Sequence, residues 1–244
     1  VQAVFALLRK ETASFFNSLI AYVVLGVFLV GSGLFFWVLG GNILESGAAE
    51  MDALFNYAPW FFLLLIPAIT MRSFAEERRT GTLELLFTRP LTARQLIWGK
   101  YLATMVLVCL ALLPTLVYMV TVYYLGNPVG NLDVGATIGA YVGLLGIAGA
   151  FAAVGLLCSI VTDNQIVAFI LAAFASFVLY QGFELAAELP ALQGINENIL
   201  WLGLQHHYQS ISRGVVDTRD VLYFASVVVL LLGSAELILD RKRA

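Results

Sequence analysis

The sequence predicts an all-α integral membrane protein of six transmembrane helices, forming one domain over residues 1–244, with the N- and C-termini both in the cytoplasm. Three observations predict it. Apolar residues make up 61% of the 244 and charged residues only 12%, with a mean hydropathy of +0.90, which lies outside the composition of soluble domains. Uncharged runs near the roughly 20 residues needed to cross a hydrocarbon core of about 30 Å recur along the chain. The basic residues fall on one side of those runs, as the positive-inside rule requires of cytoplasmic segments.

The elements follow in order. In residues 1–18, Val4, Leu7 and Leu8 share one helical face, continued by Phe15, while Arg9, Lys10 and Glu11 lie elsewhere; an amphipathic stretch joined to a span predicts an interfacial helix lying in the membrane plane. Arg9 and Lys10 ahead of an apolar run superficially suggest a secretory signal. The run is longer than a signal core of about 7 to 15 residues and no A-x-A-like cleavage site follows, so it is expected to be a retained first span. The expected spans are 19–39, 53–71, 101–125, 134–160, 166–183 and 221–239. Backbone groups in lipid must be satisfied internally, and the segments lack the alternation of barrel strands, so each is a helix. Pro67 and Pro114 each remove a hydrogen bond inside a span and should bend it.

With the N-terminus inside, eleven of the thirteen basic residues are cytoplasmic, and only Arg213 and Arg219 lie outside. The first outer loop carries Glu45, Glu50 and Asp52 with no basic residue, and the second carries Asp133. Cys109 and Cys158, the only cysteines, fall inside spans and predict apolar core positions rather than a disulfide or a thiolate site.

Residues 72–100 form the one large inner loop. Thr80, Gly81 and Thr82 supply helix-start chemistry, Leu83, Leu85, Leu86 and Phe87 an apolar surface, and Pro90 a stop, which together predict a short amphipathic helix. Thr92 followed by Gln95 is a capping-box signature, so the third span should begin its helix there and exceed the bilayer thickness by Leu125. The outer segment 184–220, broken by Pro190, Gly194 and Gly214, includes an apolar run at 199–204 too short to span; short re-entrant or interfacial helices are expected. Gly135, Gly139 and Gly143 recur every four residues in the fourth span and mark a close-packing face, within one subunit or across a dimer.

The chemistry present is sparse. His206 and His207 are adjacent and point about 100° apart on a helix, so they cannot bind one metal as an i, i+4 pair does; they are expected to be polar side chains at the outer interface. No zinc-protease or nucleophile-elbow string occurs. Glu236 is the only acid well inside a span, one turn before Asp240, where it can snorkel or pair with Arg243, so an ion-coupled carrier lacks its apparatus. None of the three lysines, Lys10, Lys100 and Lys242, sits in a G-x-x-x-x-G-K-[ST] loop, so any ATP that drives this protein binds another chain. Two readings compete with transport: an energy-independent scaffold, and an intramembrane hydrolase using His206 or His207 with Glu184 or Glu197.

The inner string FAEERRTGTLELLFTRPLTARQLIWGK, from Phe74 to Lys100, resembles the loop between the second and third spans of permeases of the type-2 export class of ABC transporters. With APWFFLLLIPAITMRSFAEERRTGTLELL, LGNPVGN, TDNQIVAFILA and HHYQSISRGVVDTRDVLYF, nearly the whole chain resembles the gliding-motility-associated GldF permease family, departing at Leu19, where that family places a proline. The resemblance implies a multi-pass permease of the bacterial inner membrane that exports or powers a gliding-motility assembly. It implies a cytoplasmic ABC ATPase partner carrying ATP and magnesium, and a second permease subunit, either a copy or a related GldG-type chain. No cofactor is expected on this chain, and no nucleic-acid partner. The family's ATPase-coupling positions map onto Glu76, Glu77, Arg78, Arg79, Gly81, Thr82, Leu83 and Glu84.

Overall fold

The structure is a computed structural model that describes residues 2–39, 43–82, 91–192 and 194–243. Its helices are α1 (Gln2–Asn17), α2 (Leu19–Trp37), α3 (Ile43–Ser46), α4 (Asp52–Thr70), α5 (Arg72–Arg79), α6 (Ala93–Leu112) and α7 (Leu116–Leu125). After these come α8 (Val134–Val161), α9 (Gln165–Phe177), α10 (Phe183–Ala187), α11 (Asn196–Leu200), α12 (Leu204–Ser212) and α13 (Thr218–Arg243). There is no strand among the described residues. Six helical stretches are long and apolar enough to cross a membrane, so the chain is an all-α, multi-pass membrane protein.

The centre of the bundle is α8, which packs against α4, α5, α6, α9, α12 and α13. Its sequence explains how one helix accommodates so many neighbours, because small residues on several faces let backbones and rings approach closely. A side chain added at Gly143 would meet the Tyr208 ring at 2.7 Å, at Gly146 the Phe224 ring at 2.9 Å, and at Gly149 the Tyr101 hydroxyl at 2.8 Å. At Gly155 it would collide with the Thr70 hydroxyl. The outer helices instead present apolar residues outward, among them Val27 and Val30 of α2, Ile170 and Phe174 of α9, and Val229 and Leu230 of α13, the surface a lipid environment needs.

Two interruptions of the spans have local causes. Pro114 lies in a 3-10 turn over Leu113–Thr115 that separates α6 from α7, where the Thr115 hydroxyl donates to the Leu112 carbonyl at 2.6 Å. A π-helical turn over Val178–Gly182 follows α9, and the sequence carries no proline to announce it.

The inner loop differs from expectation. Residues 72–79, drawn as loop, are helical: Met71 keeps helical dihedrals and its amide donates to the Pro67 carbonyl at 2.9 Å, so α5 extends α4 with little break. Thr80 and Gly81 close α5, and Thr82 after them is again helical. Gly81 adopts φ +69°, the left-handed position that terminates helices and that glycine alone takes without strain, while the Thr80 hydroxyl donates to the Glu76 carbonyl at 2.8 Å. The expected amphipathic helix at 83–90 lies outside the described residues. Beyond it the capping box is present: the Gln95 amide donates to Thr92 Oγ1 and the Thr92 amide to Gln95 Oε1, both at 3.2 Å.

Cys109 is exposed and Cys158 half-buried, so Cys109 is on the outer surface of the bundle and not in its core. Glu236 pairs with Arg94, whose Nε lies 3.1 Å from both carboxylate oxygens; the Arg243 side chain, the partner expected for it, lies outside the described residues. Arg94, in the first turn of α6, brings a cation to the carboxylate of α13.

Candidate functional site: the junction of helix ends

The N-terminal part of α6 as far as Lys100, all of α5, the middle of α1 and the C-terminal ends of α8 and α13 converge at the basic end of the bundle. Lys100 is the centre of this junction. Its side chain is 2% exposed, and its ammonium lies 2.7 Å from Glu77 Oε1 of α5 and 3.3 Å from Glu11 Oε1 of α1. The Phe74 ring sits beneath it, 5.1 Å from the ammonium to the centroid, within cation–π range. One buried cation thus joins three helices. Leu7 prepares the approach: one turn before Glu11, it packs where a side chain at Gly99 would meet its Cβ at 2.7 Å. The apolar face of α1 is therefore covered by α6.

The end of α8 forms the second half of the junction. A 28-residue helix leaves its last carbonyls without intrahelical partners and concentrates partial negative charge there. Two cations answer it: Arg78 Nη1 donates to the Ile160 carbonyl at 2.9 Å and Lys242 Nζ to the same oxygen at 2.7 Å. Arg78 also pairs with Asp163 at 2.6 Å. Beside them Ser159 accepts from the amides of Phe74 and Ala75 at 3.0 and 3.1 Å and donates to the Met71 carbonyl at 3.1 Å. That hydroxyl fills the unpaired amides of the first turn of α5 and ties the α4–α5 step to α8.

The positions singled out by the resemblance divide into two groups. Glu77 and Arg78 turn inward and are held by Lys100 and by the end of α8. Glu76 is half-buried, whereas Arg79, Gly81 and Thr82 are exposed. Leu83 and Glu84 lie outside the described residues. Sequence reasoning missed Glu11, Lys100, Ser159, Asp163 and Lys242. A signal existed for Glu11, which falls one turn after Leu7 on the face of α1 that must be covered; Ser159 and Asp163 carried none.

The opposite end is built differently. Gly139 and Gly143 receive α12 of the same chain: a side chain at Gly139 would strike the Ile211 carbonyl, and Tyr208 fills the space at Gly143 while its hydroxyl donates to the Phe55 carbonyl at 2.9 Å. Gly135, first in the series, is met instead by Gly214, where an added side chain would lie 3.2 Å from the Gly135 carbonyl carbon.

His207 corrects the expectation of an interfacial side chain. It is 3% exposed, with Nδ1 2.6 Å from Asp220 Oδ1, Nε2 2.9 Å from the Trp201 carbonyl, and its ring stacked 3.8 Å from that of Tyr223. A carbonyl oxygen only accepts, so Nε2 carries a proton and offers no lone pair to a substrate. The carboxylate beside His207 is Asp220 rather than Glu184 or Glu197, and the arrangement is a strut between α12 and α13, not a general base. His206 faces Trp201 with ring centroids 5.5 Å apart; burial, and after it the neighbouring His207, push its imidazole below the ordinary histidine range.

Fold and site define a helical, multi-pass membrane protein whose polar apparatus fastens helix ends together. The family model described as ABC-2 family transporter protein matches residues 5–239, nearly the whole chain. The chain belongs to that family and is a permease subunit of the ABC-2 type. A search of curated proteins finds no match.

Proposed function

We propose that the chain is the transmembrane subunit of an ATP-driven exporter, and that a separate cytoplasmic ATPase, holding the ATP and magnesium, works on it through the segment that follows α5. The observation that carries this reading is the double anchorage of α5. It continues the span α4, and it is bonded sideways to α8 through Ser159 and Arg78 and to α1 and α6 through Lys100. A push delivered at Arg79–Thr82 therefore acts on helices, whereas a flexible tether would dissipate it. Membership of the ABC-2 family supports an ATPase partner, and the positive-inside rule supports a cytoplasmic location for this end in a bacterial inner membrane. The resemblance to gliding-motility permeases supports a role in such an assembly, with a second permease subunit, identical or of the GldG type.

Because Glu77 and Arg78 have partners within the chain, docking is assigned to the exposed Arg79, Gly81 and Thr82 and to Leu83. The test is affinity recovery of the ATPase with the tagged chain from native membranes. Leu83→Asp and Thr82→Arg should give normally inserted protein that recovers at least about tenfold less ATPase, the loss expected of a contact residue at the centre of an interface. Equal recovery by parent and variants overturns the reading. Persistence of the assembly with a hydrolysis-dead ATPase would favour a scaffold instead.

A further inference from the structure

We propose that Lys100 is a shared ammonium that passes between Glu77 and Glu11, so that α5 can move away from α6 without leaving a buried cation unpaired. The proposal rests on the coupling role of α5 argued above. Its basis is the geometry of the junction: two carboxylates, on α5 and on α1, both contact the one buried ammonium, on α6. A purely structural clamp needs one of them. With Lys100 2% exposed, water cannot replace a departing carboxylate, and an isolated ammonium there carries a penalty large enough to forbid the motion. Glu11, already 3.3 Å away, removes that penalty.

The surroundings suit an exchange. An ammonium is a compact charge with three rotatable donors on a flexible stem, so it re-aims without loss of geometry, as a guanidinium fork does not. Glu11 is not left alone while Lys100 favours Glu77, because Lys10 Nζ lies 3.8 Å from the same Glu11 oxygen. Glu77 is held by one oxygen only: its Oε2 is buried and has no hydrogen-bond partner among the described residues, so the grip of this carboxylate on α5 is less than it can supply. The two acids also repel each other, and each weakens the other's hold on the shared cation.

Two variants decide the matter through opposite effects on two helices. Glu11→Gln removes the competitor, so the ammonium settles on Glu77; Glu77→Gln sends it to Glu11. In hydrogen–deuterium exchange of the chain in lipid nanodiscs, Glu77→Gln should speed exchange of α5 at least about tenfold, the loss expected of a charged hydrogen bond, and slow that of α1. Glu11→Gln should speed α1 and slow α5. A passive structural cluster, in which the ammonium stays where it is, loosens the helix that has lost its acid and leaves the other unchanged or looser, and that result, or no change in either variant, overturns the proposal. Should Glu77→Gln not yield folded protein, Glu77→Asp, which keeps the charge and lengthens the contact, should give the same crossed pattern with smaller amplitude. The pattern is read on the chain alone, so failure to recover an ATPase and failure of the exchange are separate results.

Discussion

The two ends of this bundle are held by different forces. At the opposite end, α12 lies in the glycine groove of α8 with the Ile211 backbone against Gly139 and the Tyr208 ring against Gly143, and a buried imidazole–carboxylate contact fixes it to α13. At the basic end the helices are joined by ammonium, guanidinium and hydroxyl groups reaching across gaps: Lys100 to two acids, Arg78 and Lys242 to one carbonyl, Arg94 to Glu236. Close packing falls off within a fraction of an ångström of displacement, whereas contacts made by long charged side chains follow a moving partner. One end is built to hold its shape, the other to stay connected while its parts shift.

The largest expected effect tests the packed end. Gly139→Leu drives a side chain into the Ile211 backbone, which has no flexible end to give way; a loss of about 3 kcal/mol or more, read as loss of monodisperse protein in detergent, is expected. Lys100→Met probes the charged end. It leaves Glu11 and Glu77 facing each other without their cation, and a loss of about 3 kcal/mol in thermal unfolding is expected, somewhat below the full value for a buried pair because the two carboxylates are 12% and 16% exposed.

Asp220→Asn keeps the shape of the His207 strut while removing its charge. It should lower stability by about 2 kcal/mol and speed hydrogen exchange in α12 without altering α5; a change confined to α5 would contradict the separation of the two ends. Arg94→Ala should do least. With its side chain 70% exposed, the pair with Glu236 contributes less than about 1 kcal/mol, and the shift should shrink as salt is raised. A loss as large as that of Lys100→Met would mean that the surface ion pair, rather than the buried one, holds α6 to its neighbours.

The residues show how far such a comparison was open to reading beforehand. The Thr92–Gln95 capping box was plain because both partners lie within one turn, and Pro114 announced the break between α6 and α7 because its missing amide acts locally. The π turn at Val178–Gly182 had no such signal. Helix α5 was hidden in a charged string, RSFAEERR, without apolar periodicity, so the stop that Thr80 and Gly81 give it had no local signal, since threonine and glycine serve both ends of a helix. Lys100 closes the inner loop in the sequence, with nothing there to mark it as buried. Its burial depends on α1 folding back over Gly99, a contact between residues more than ninety positions apart.

Composition and the lengths of apolar runs determine by themselves that the chain crosses a membrane six times as helices, because each span must satisfy its own backbone groups wherever the others lie. The sidedness of the charges likewise follows from position along the chain. Only the tertiary structure decides that Glu77 and Arg78 turn inward, that Gly139 and Gly143 receive α12, and that His207 is a strut. Those outcomes are settled by which helix faces meet, and a face gains its partner from distant parts of the chain through packing that no local pattern encodes.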